Sequence, residues 1–445
     1  MGACCQRVQG GARAAEPLDA DGGGAESPRA EEASGQLERF TTLEGGQLYE
    51  ALQRGSIRLA RGDYFQRALE AKRPLQRRQE LRDEDLWPPE EAARMWRDYK
   101  NLFLLVVSYG WLARGHPDPE MWHLRRLARI VREWKAYLRA VSEGKVRQMN
   151  VAFYPAESLR DNVPSDVGIF MDFLSLHQEP RTPEEEAAFE HGIGQINVLY
   201  AHTFASTLVC TAVPDDEPRK YQNRGWTLFE VCVTSAKPDA FLKVLFFHTS
   251  FDPEEERSTG EAFLFKHLTG RKPPCSRARF EELMESRRRE VAKLPAPHNR
   301  LFTNNKDQPR LHQKYAEIWE DLRGVSSLQF VCCGWRAADV RELLGVLPSF
   351  PRLKVLNLNS NSFGDEGAEA LAAGLPGGLA KLLVWNNGIS EAGAFRLLEA
   401  LPRGLTYLNL DNNPVCRDEA GAARLREAWR ASGRADGNLS MKVWG

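Results

Sequence analysis

The chain has 445 residues, of which 42% are hydrophobic and 27% are charged, and its formal net charge is −1. This length favours two or three folded domains. Because positive and negative charges nearly cancel, the composition gives no general electrostatic case for nucleic-acid binding. No apolar run approaches the roughly 18 residues that a membrane-spanning helix needs.

Eight cysteines, present as two vicinal pairs and four single residues, lack the spacing of a disulfide framework or of a zinc site. The charged, glycine-rich start of the chain has no apolar segment and predicts no secretory signal. We therefore predict a cytoplasmic protein with reduced cysteines that holds no metal and no cofactor.

Residues 1–40 are rich in Gly, Ala, Ser and acidic residues and are expected to form a disordered tail. Gly2 followed by Cys4 and Cys5 is typical of an acylation signal, in which myristoyl and palmitoyl chains together attach a protein to a membrane surface. Gln6 stands where that signal usually has Ser or Thr. Peripheral membrane attachment and a chance pair of cysteines in a tail both remain open.

Residues 41–100 carry apolar side chains at mixed three- and four-residue spacing among many charges, which predicts a helical extension. The basic run at 72–78 is interrupted by Pro and Leu and is followed by acidic residues. It therefore indicates a solvated helix face rather than a nucleic-acid site.

Residues 101–250 alternate apolar runs with helical patterns. The runs predict four buried strands at 102–107, 166–172, 206–213 and 241–247. Helices are predicted over 120–141, from a capping box at 182–185, and over 226–235. Strands that alternate with helices favour an α/β fold with a parallel sheet.

Three polar motifs punctuate this domain: Ser-Tyr-Gly-Trp at 108–111, Asp-Phe-Leu-Ser-Leu-His-Gln at 172–178 and Arg-Gly-Trp-Thr-Leu-Phe-Glu at 224–230. In this order they resemble the motifs of the fungal heterokaryon-incompatibility (HET) domain, a relative of the Toll/interleukin-1 receptor (TIR) domain. The resemblance implies a flavodoxin-like fold over roughly 100–250 and a signalling role. This chain departs from the HET pattern at Ser175, His177 and Phe229. Two other stretches, 74–81 and 116–119, resemble proteins of single-celled algae.

TIR domains carry a Trp and a Glu at the spacing of Trp226 and Glu230, and many of them hydrolyse NAD with that Glu. The resemblance therefore makes Glu230 the candidate catalytic residue, with NAD as the substrate. Its carboxylate would stabilise the oxocarbenium-like state of nicotinamide–ribose cleavage. The residues expected to line the cleft are Ser108, Tyr109, Trp111, Asp172, Ser175, Gln178, Arg224 and Trp226. Alternatively, Trp226 is a core residue, Arg224 and Glu230 form a structural pair, and no ligand binds.

Residues 251–325 are charged and predict a mostly helical connector, and residues 326–445 contain repeats. The pattern Leu-x-x-Leu-x-Leu/Val-x-x-Asn begins at Leu353, Leu379 and Leu405, which are 26 residues apart. This period predicts a solenoid of leucine-rich repeats, resembling the ribonuclease-inhibitor type, with one strand, one turn and one helix in each repeat. We expect the turn residues to stack as a structural ladder of Asn361, Asn387 and Asn413.

The exposed side of the repeat strands is the predicted contact surface for a protein partner. Its candidate contact residues are Lys381, Trp385, Tyr407 and Asp411. Packing of this small surface against the middle domain is the alternative. The sequence thus favours an intracellular signalling or protein-interaction protein whose TIR-like domain self-associates, with an NAD glycohydrolase as the other hypothesis.

Overall fold

The computed structural model of the chain describes residues 40–145, 163–238, 243–248, 251–304 and 306–443. The acylation prediction for Gly2, Cys4 and Cys5 lies outside the described residues.

The middle of the chain forms one sheet of five strands. The strands are β1 (Ala60–Arg61), β2 (Leu104–Tyr109), β3 (Gly168–Phe170), β4 (Ser206–Cys210) and β5 (Val244–Phe247). Their order is β1-β3-β2-β4-β5, and every pair is parallel except β1 with β3. The four predicted strands are therefore parallel neighbours, as expected. The chain adds β3 on one side of β2 and then β4 and β5 on its other side, so the direction of strand addition reverses between β2 and β4. Counted from β2, the order of these four strands is 2-1-3-4, as in one class of doubly wound sheets.

The predicted strand bounds were wrong at two ends that matter for the site. Strand β2 continues through Ser108 and Tyr109, because these residues pair with Val209 and Cys210 of β4. Strand β3 ends at Phe170, because Asp172 begins a single helical turn. The polar motif of β2 thus lies inside the sheet, whereas that of β3 lies in a helical turn just beyond it.

Helices cover both faces of the sheet. They are α1 (Gln47–Gln53), α2 (Gly62–Glu70), α3 (Pro89–Tyr99), α4 (Trp122–Ser142), α5 (Asp172–Ser175), α6 (Pro183–Gly194), α7 (Ile196–Ala201), α8 (Gly225–Ser235), α9 (Gly260–Lys266), α10 (Arg277–Val291) and α11 (Asp307–Leu322). One apolar core joins α2, α4 and α9 to the sheet, and a second joins α1, α3, α7, α8, α10 and α11 to its other face.

Two predictions about these helices have clear outcomes. The capping box of α6 is confirmed: Thr182 Oγ1 accepts from the Glu185 amide at 3.3 Å, and Glu185 Oε2 accepts from the Thr182 amide at 3.0 Å. The segment predicted as a helical extension, 41–100, contains three α-helices and also β1, which adds an antiparallel edge strand to the sheet. That strand pairs with Gly168 and Ile169 of β3.

The C-terminal part of the chain forms a second sheet that is parallel throughout. Its strands follow chain order: β6 (Ser327–Gln329), β7 (Val355–Asn357), β8 (Lys381–Leu383), β9 (Tyr407–Asn409) and β10 (Leu439–Ser440). The helices between them are α12 (Ala337–Val346), α13 (Gly364–Gly374), α14 (Glu391–Glu399) and α15 (Glu419–Ala431). The predicted parallel stacking of the three central strands is confirmed.

The three repeat asparagines are buried and bind backbone groups of neighbouring repeats. Asn387 Nδ2 donates to the Leu358 carbonyl at 2.9 Å, and Asn413 Nδ2 donates to the Val384 carbonyl at 2.9 Å. Asn413 Oδ1 accepts from the Asn387 amide at 2.8 Å. Asn361 Nδ2 makes the equivalent bond one repeat earlier, to the Phe330 carbonyl at 2.8 Å. Each asparagine therefore ties one turn to the turn before it.

Arg271, which is only 2% exposed, lies where the two sheets meet. Its guanidinium donates to the Ser235 carbonyl at the end of α8 and to the Gln329 carbonyl of β6. It also stacks over the Phe330 ring, while its own carbonyl accepts from Trp335 Nε1 at 2.7 Å. The repeats thus begin against the helix that carries Glu230.

Candidate functional site

Ser108 and Glu230 meet at the carboxyl edge of the first sheet. Strand β2 places the Ser108 hydroxyl toward α8, where it donates to Glu230 Oε2 at 2.5 Å. The Ser108 hydroxyl is also 2.5 Å from the Tyr221 hydroxyl. Burial raises the pKa of Glu230 to about 8 and the nearby Asp172 adds to the rise, while the hydrogen bond from Ser108 and the nearby Tyr200 hydroxyl oppose it. Glu230 is therefore a carboxyl group that holds its proton near neutral pH.

Asp172 lies beside this pair and is held by three donors. Tyr109 donates its hydroxyl to Oδ1 at 2.5 Å, Trp111 Nε1 donates to Oδ2 at 3.0 Å, and the Phe173 amide donates to Oδ1 at 2.7 Å. Burial raises the pKa of Asp172, while the bond from Tyr109 opposes the rise. The structure thus brings Ser108, Tyr109, Trp111 and Asp172 together at one edge, near Glu230.

Arg224 does not pair with Glu230. Its Nη2 donates to Glu217 Oε1 at 3.1 Å and to the Arg219 carbonyl at 2.7 Å. Burial lowers the pKa of Arg224 to about 10, and the neighbouring Arg219 charge contributes. Glu230 therefore does not form the structural ion pair with Arg224 that the sequence left open as the alternative.

Three predicted cleft residues have structural contacts instead. Trp226 points away from Glu230 and donates Nε1 to Asp307 Oδ2 at 3.0 Å, so it packs α8 against α11. Ser175 is fully buried and its hydroxyl accepts from the Met171 amide at 3.1 Å. Gln178 donates Nε2 to the Asp172 and Leu176 carbonyls at 3.1 and 2.9 Å. These contacts give the three side chains structural roles, and their place in a cleft stays a prediction.

Tyr200 and Tyr221 were not among the residues predicted to line the cleft. Tyr200 donates its hydroxyl to the Val107 carbonyl at 3.0 Å, and both tyrosines lie close enough to Glu230 for its charge to raise their pKa, although burial is the larger cause. The sequence does point to Tyr200, because Leu199-Tyr200-Ala201 resembles the end of a helix in the HET pattern. Tyr221 begins a short 3-10 helix in a stretch without hydrophobic periodicity, so no sequence signal points to it.

Two surface cavities, of about 370 and 220 Å³, lie elsewhere on the described residues. The larger is lined by Asp252, Glu255, Glu256, Arg257, Ser258 and Lys266, and the smaller by Glu190, Ile193, Gly194, Arg310, Gln313, Lys314 and Glu317. Neither is lined by Ser108, Asp172 or Glu230.

The exposed side of the repeat strands offers a second candidate site. Partly exposed side chains on this face are Lys381 and Leu383 on β8, Trp385 two residues after the end of β8, and Tyr407 on β9. Lys381 is opposite Tyr407 in the register. Asp411, in contrast, is buried, and its Oδ1 accepts from the Ser440 hydroxyl at 2.7 Å. The prediction that Asp411 contacts a partner was therefore wrong, because the last strand caps it.

Comparison with known families adds one finding. Residues 352–372 match the family model described as Leucine Rich repeat. The match spans β7, Asn361 and most of α13, and such a repeat is consistent with a role in protein interaction. A search of curated proteins found no match.

In the part of the chain that the structure describes, no helix is long and apolar enough to cross a membrane. The same part of the chain contains no group of three or more His, Cys, Asp and Glu side chains that could hold a metal ion.

Proposed function

We propose that the protein is a protein-interaction component of an intracellular signalling system, and that the repeat sheet binds its partner. The observation that carries this proposal is the partial exposure of Lys381, Leu383, Trp385 and Tyr407 on and just beyond the adjacent strands β8 and β9. Trp and Tyr dominate the energetics of many interfaces, because they bury a large area at a small cost in side-chain entropy.

Trp385 is the strongest anchor on this surface. Its indole Nε1 is buried and has no hydrogen-bond acceptor in the described residues. A buried donor without an acceptor costs free energy, and a partner that supplies a carbonyl or carboxylate would recover it. The proposed contact residues are therefore Trp385, together with Lys381 and Tyr407, which lie opposite each other on neighbouring strands.

Binding assays with matched variants test this function. Trp385→Ala and Tyr407→Ala should each weaken capture of the cellular partner at least tenfold, while thermal unfolding stays cooperative. Glu369→Ala, on the exposed side of α13, is the control and should bind normally. Equal capture by all three variants would place the contact elsewhere.

A second function, cleavage of the nicotinamide–ribose bond of NAD, is supported by the Ser108–Glu230 contact and the nearby Asp172. A carboxylate at this strand edge suits the reaction, because it stabilises the oxocarbenium-like state of the ribose while nicotinamide leaves as a neutral group that needs no acid. In this proposal the middle domain is TIR-like, and self-association completes its cleft. Glu230 would then act as its ionised carboxylate.

Release of nicotinamide from NAD by the purified chain tests the second function. We expect slow release by the parent, and loss of release in Glu230→Gln with the fold intact. Glu217→Gln, which alters the partner of Arg224 instead, is the control and should retain release. A parent without release at any protein concentration would contradict the hydrolase proposal and leave the interaction proposal unaffected.

A further inference from the structure

Arg126, on the second turn of α4, is a nearly buried cation that is short of acceptors. It is 9% exposed, and the one hydrogen bond from its guanidinium within the described residues is a 3.4 Å contact from Nη1 to the Trp122 carbonyl. Its Nε has no acceptor at all. Burying a charge is costly unless hydrogen bonds or an opposite charge compensate, as the carbonyls around Arg271 do.

Two other buried donors lack acceptors in the described residues: Trp122 Nε1, beside Arg126, and Arg224 Nε, at the strand end that the start of α4 contacts. The Arg126 guanidinium carbon is 3.5 Å from the centre of the Trp122 ring, and Trp122 Nε1 lacks a partner. Arg224 Nε also lacks one, and it packs against Gly110, where a side chain would come within 2.8 Å of it. The Gly110 carbonyl accepts from His123 Nε2 at 2.8 Å, which places the start of α4 against the same glycine.

These donors lie where the strand order of the first sheet reverses. Gly110 directly follows β2, and Cys210 ends the neighbouring β4. Burial raises the pKa of the Cys210 thiol to about 12, and the nearby charge of Arg126 acts in the opposite direction. In open α/β sheets, ligands bind in the crevice outside the strand ends at such a reversal.

The acidic groups of this region leave Arg126 without an ion pair. Asp118 is fully buried and already accepts from the His123 and Leu124 amides at 2.9 and 2.7 Å. Asp252 favours the charge on Arg126 electrostatically, but no ion pair joins the two within the described residues. All three atoms without partners are donors. Arg224 is already paired with Glu217, whereas Arg126 has no ion pair within the described residues, so the charge on Arg126 favours an occupant with negatively charged acceptors.

We propose that Arg126, Trp122 and Arg224 form a binding site for an oxyanion, a phosphate or carboxylate group of a small ligand. A guanidinium presents two parallel N–H groups to such a group, which makes arginine a favoured residue for binding it. This site is separate from the repeat surface, and it uses neither Glu230 nor Ser108.

Calorimetric titration of the full chain with pyrophosphate, and separately with succinate, at constant ionic strength tests the site. We expect saturable binding of at least one probe, and the probe that binds identifies the phosphate or the carboxylate source. Arg126→Met keeps an unbranched side chain but removes the guanidinium that lies over Trp122, and it should weaken binding at least tenfold. Arg125→Met, an exposed neighbour on the same helix, should bind like the parent. Absence of saturable binding by both probes, or parent-like binding by Arg126→Met, would overturn the proposal.

Trp122→Phe provides an independent variant should Arg126→Met fail to fold. It keeps an aromatic ring beneath the guanidinium and removes only the Nε1 donor. We expect several-fold weaker binding with an unchanged unfolding transition. Unchanged affinity in this variant would show that its indole donor does not face a ligand and would overturn the proposed site.

Discussion

Ser108 and Glu230 are 122 residues apart in the chain, yet the hydroxyl of one donates to the carboxyl of the other at 2.5 Å. This contact joins the end of β2 to the middle of α8. The protonated form of a carboxyl group in this position is more stable than the ionised form near neutral pH, because burial disfavours the charge.

The stability of the protein should therefore depend on pH through Glu230. Its pKa is about 8 in the folded chain against an ordinary value of 4.5, so the folded state binds the proton more tightly. This contribution is fully present below pH 4.5 and is lost as the pH rises through about 8. Glu230→Gln imitates the protonated form, and we expect it to be more stable than the parent above pH 8 by on the order of 2 kcal/mol.

Denaturant unfolding of both proteins across this pH range measures the difference. The two curves should converge toward acidic pH and separate as the parent ionises. A Glu230→Gln variant that is less stable than the parent at every pH would mean that the fold holds the ionised carboxylate instead.

Trp226 should act in packing rather than in a cleft. Trp226→Phe keeps an aromatic ring against α11 but loses the bond to Asp307, so we expect a stability loss of about 1 kcal/mol. Chemical denaturation measures this loss. An unchanged stability, together with altered nicotinamide release, would return Trp226 to the candidate site.

The asparagine ladder should contribute unequally to the stability of the repeats. Asn387→Leu removes a donor from the Leu358 and Trp385 carbonyls, and we expect a loss of about 1–3 kcal/mol. Asn413→Leu should cost more, because Asn413 Oδ1 also accepts from the Asn387 and Ile389 amides. Equilibrium unfolding of the two variants tests this order, and equal stability of both variants and the parent would refute the ladder.

The N-terminal prediction stands apart from the described fold. If Gly2, Cys4 and Cys5 are acylated, Gly2→Ala should move the protein from the membrane fraction to the supernatant, because two lipid chains are needed for stable attachment. Gly10→Ala is the matched control and should stay with the membranes. A parent protein found wholly in the supernatant would remove the acylation hypothesis.

Features with a local cause were predictable from the sequence. The strands follow from continuous apolar runs, the start of α6 from the Thr182–Glu185 capping box, and the repeat strands from the 26-residue period. Features that depend on distant contacts were not. Helix α8 is buried on more than one side, so the spacing of Trp226 and Glu230 could not show that they face different neighbours. Asp411 looked exposed in its repeat because the strand that covers it begins 28 residues later, at Leu439.

Site-specific photo-crosslinking measures the central claim, binding through the repeat sheet, most directly. A photoreactive amino acid at position 385 should join the protein to one defined partner in cells, and Tyr407→Ala should abolish that adduct. The same amino acid at position 369, on the opposite surface of the repeats, should give no such adduct. The same adduct from both positions, or none from position 385, would contradict the account.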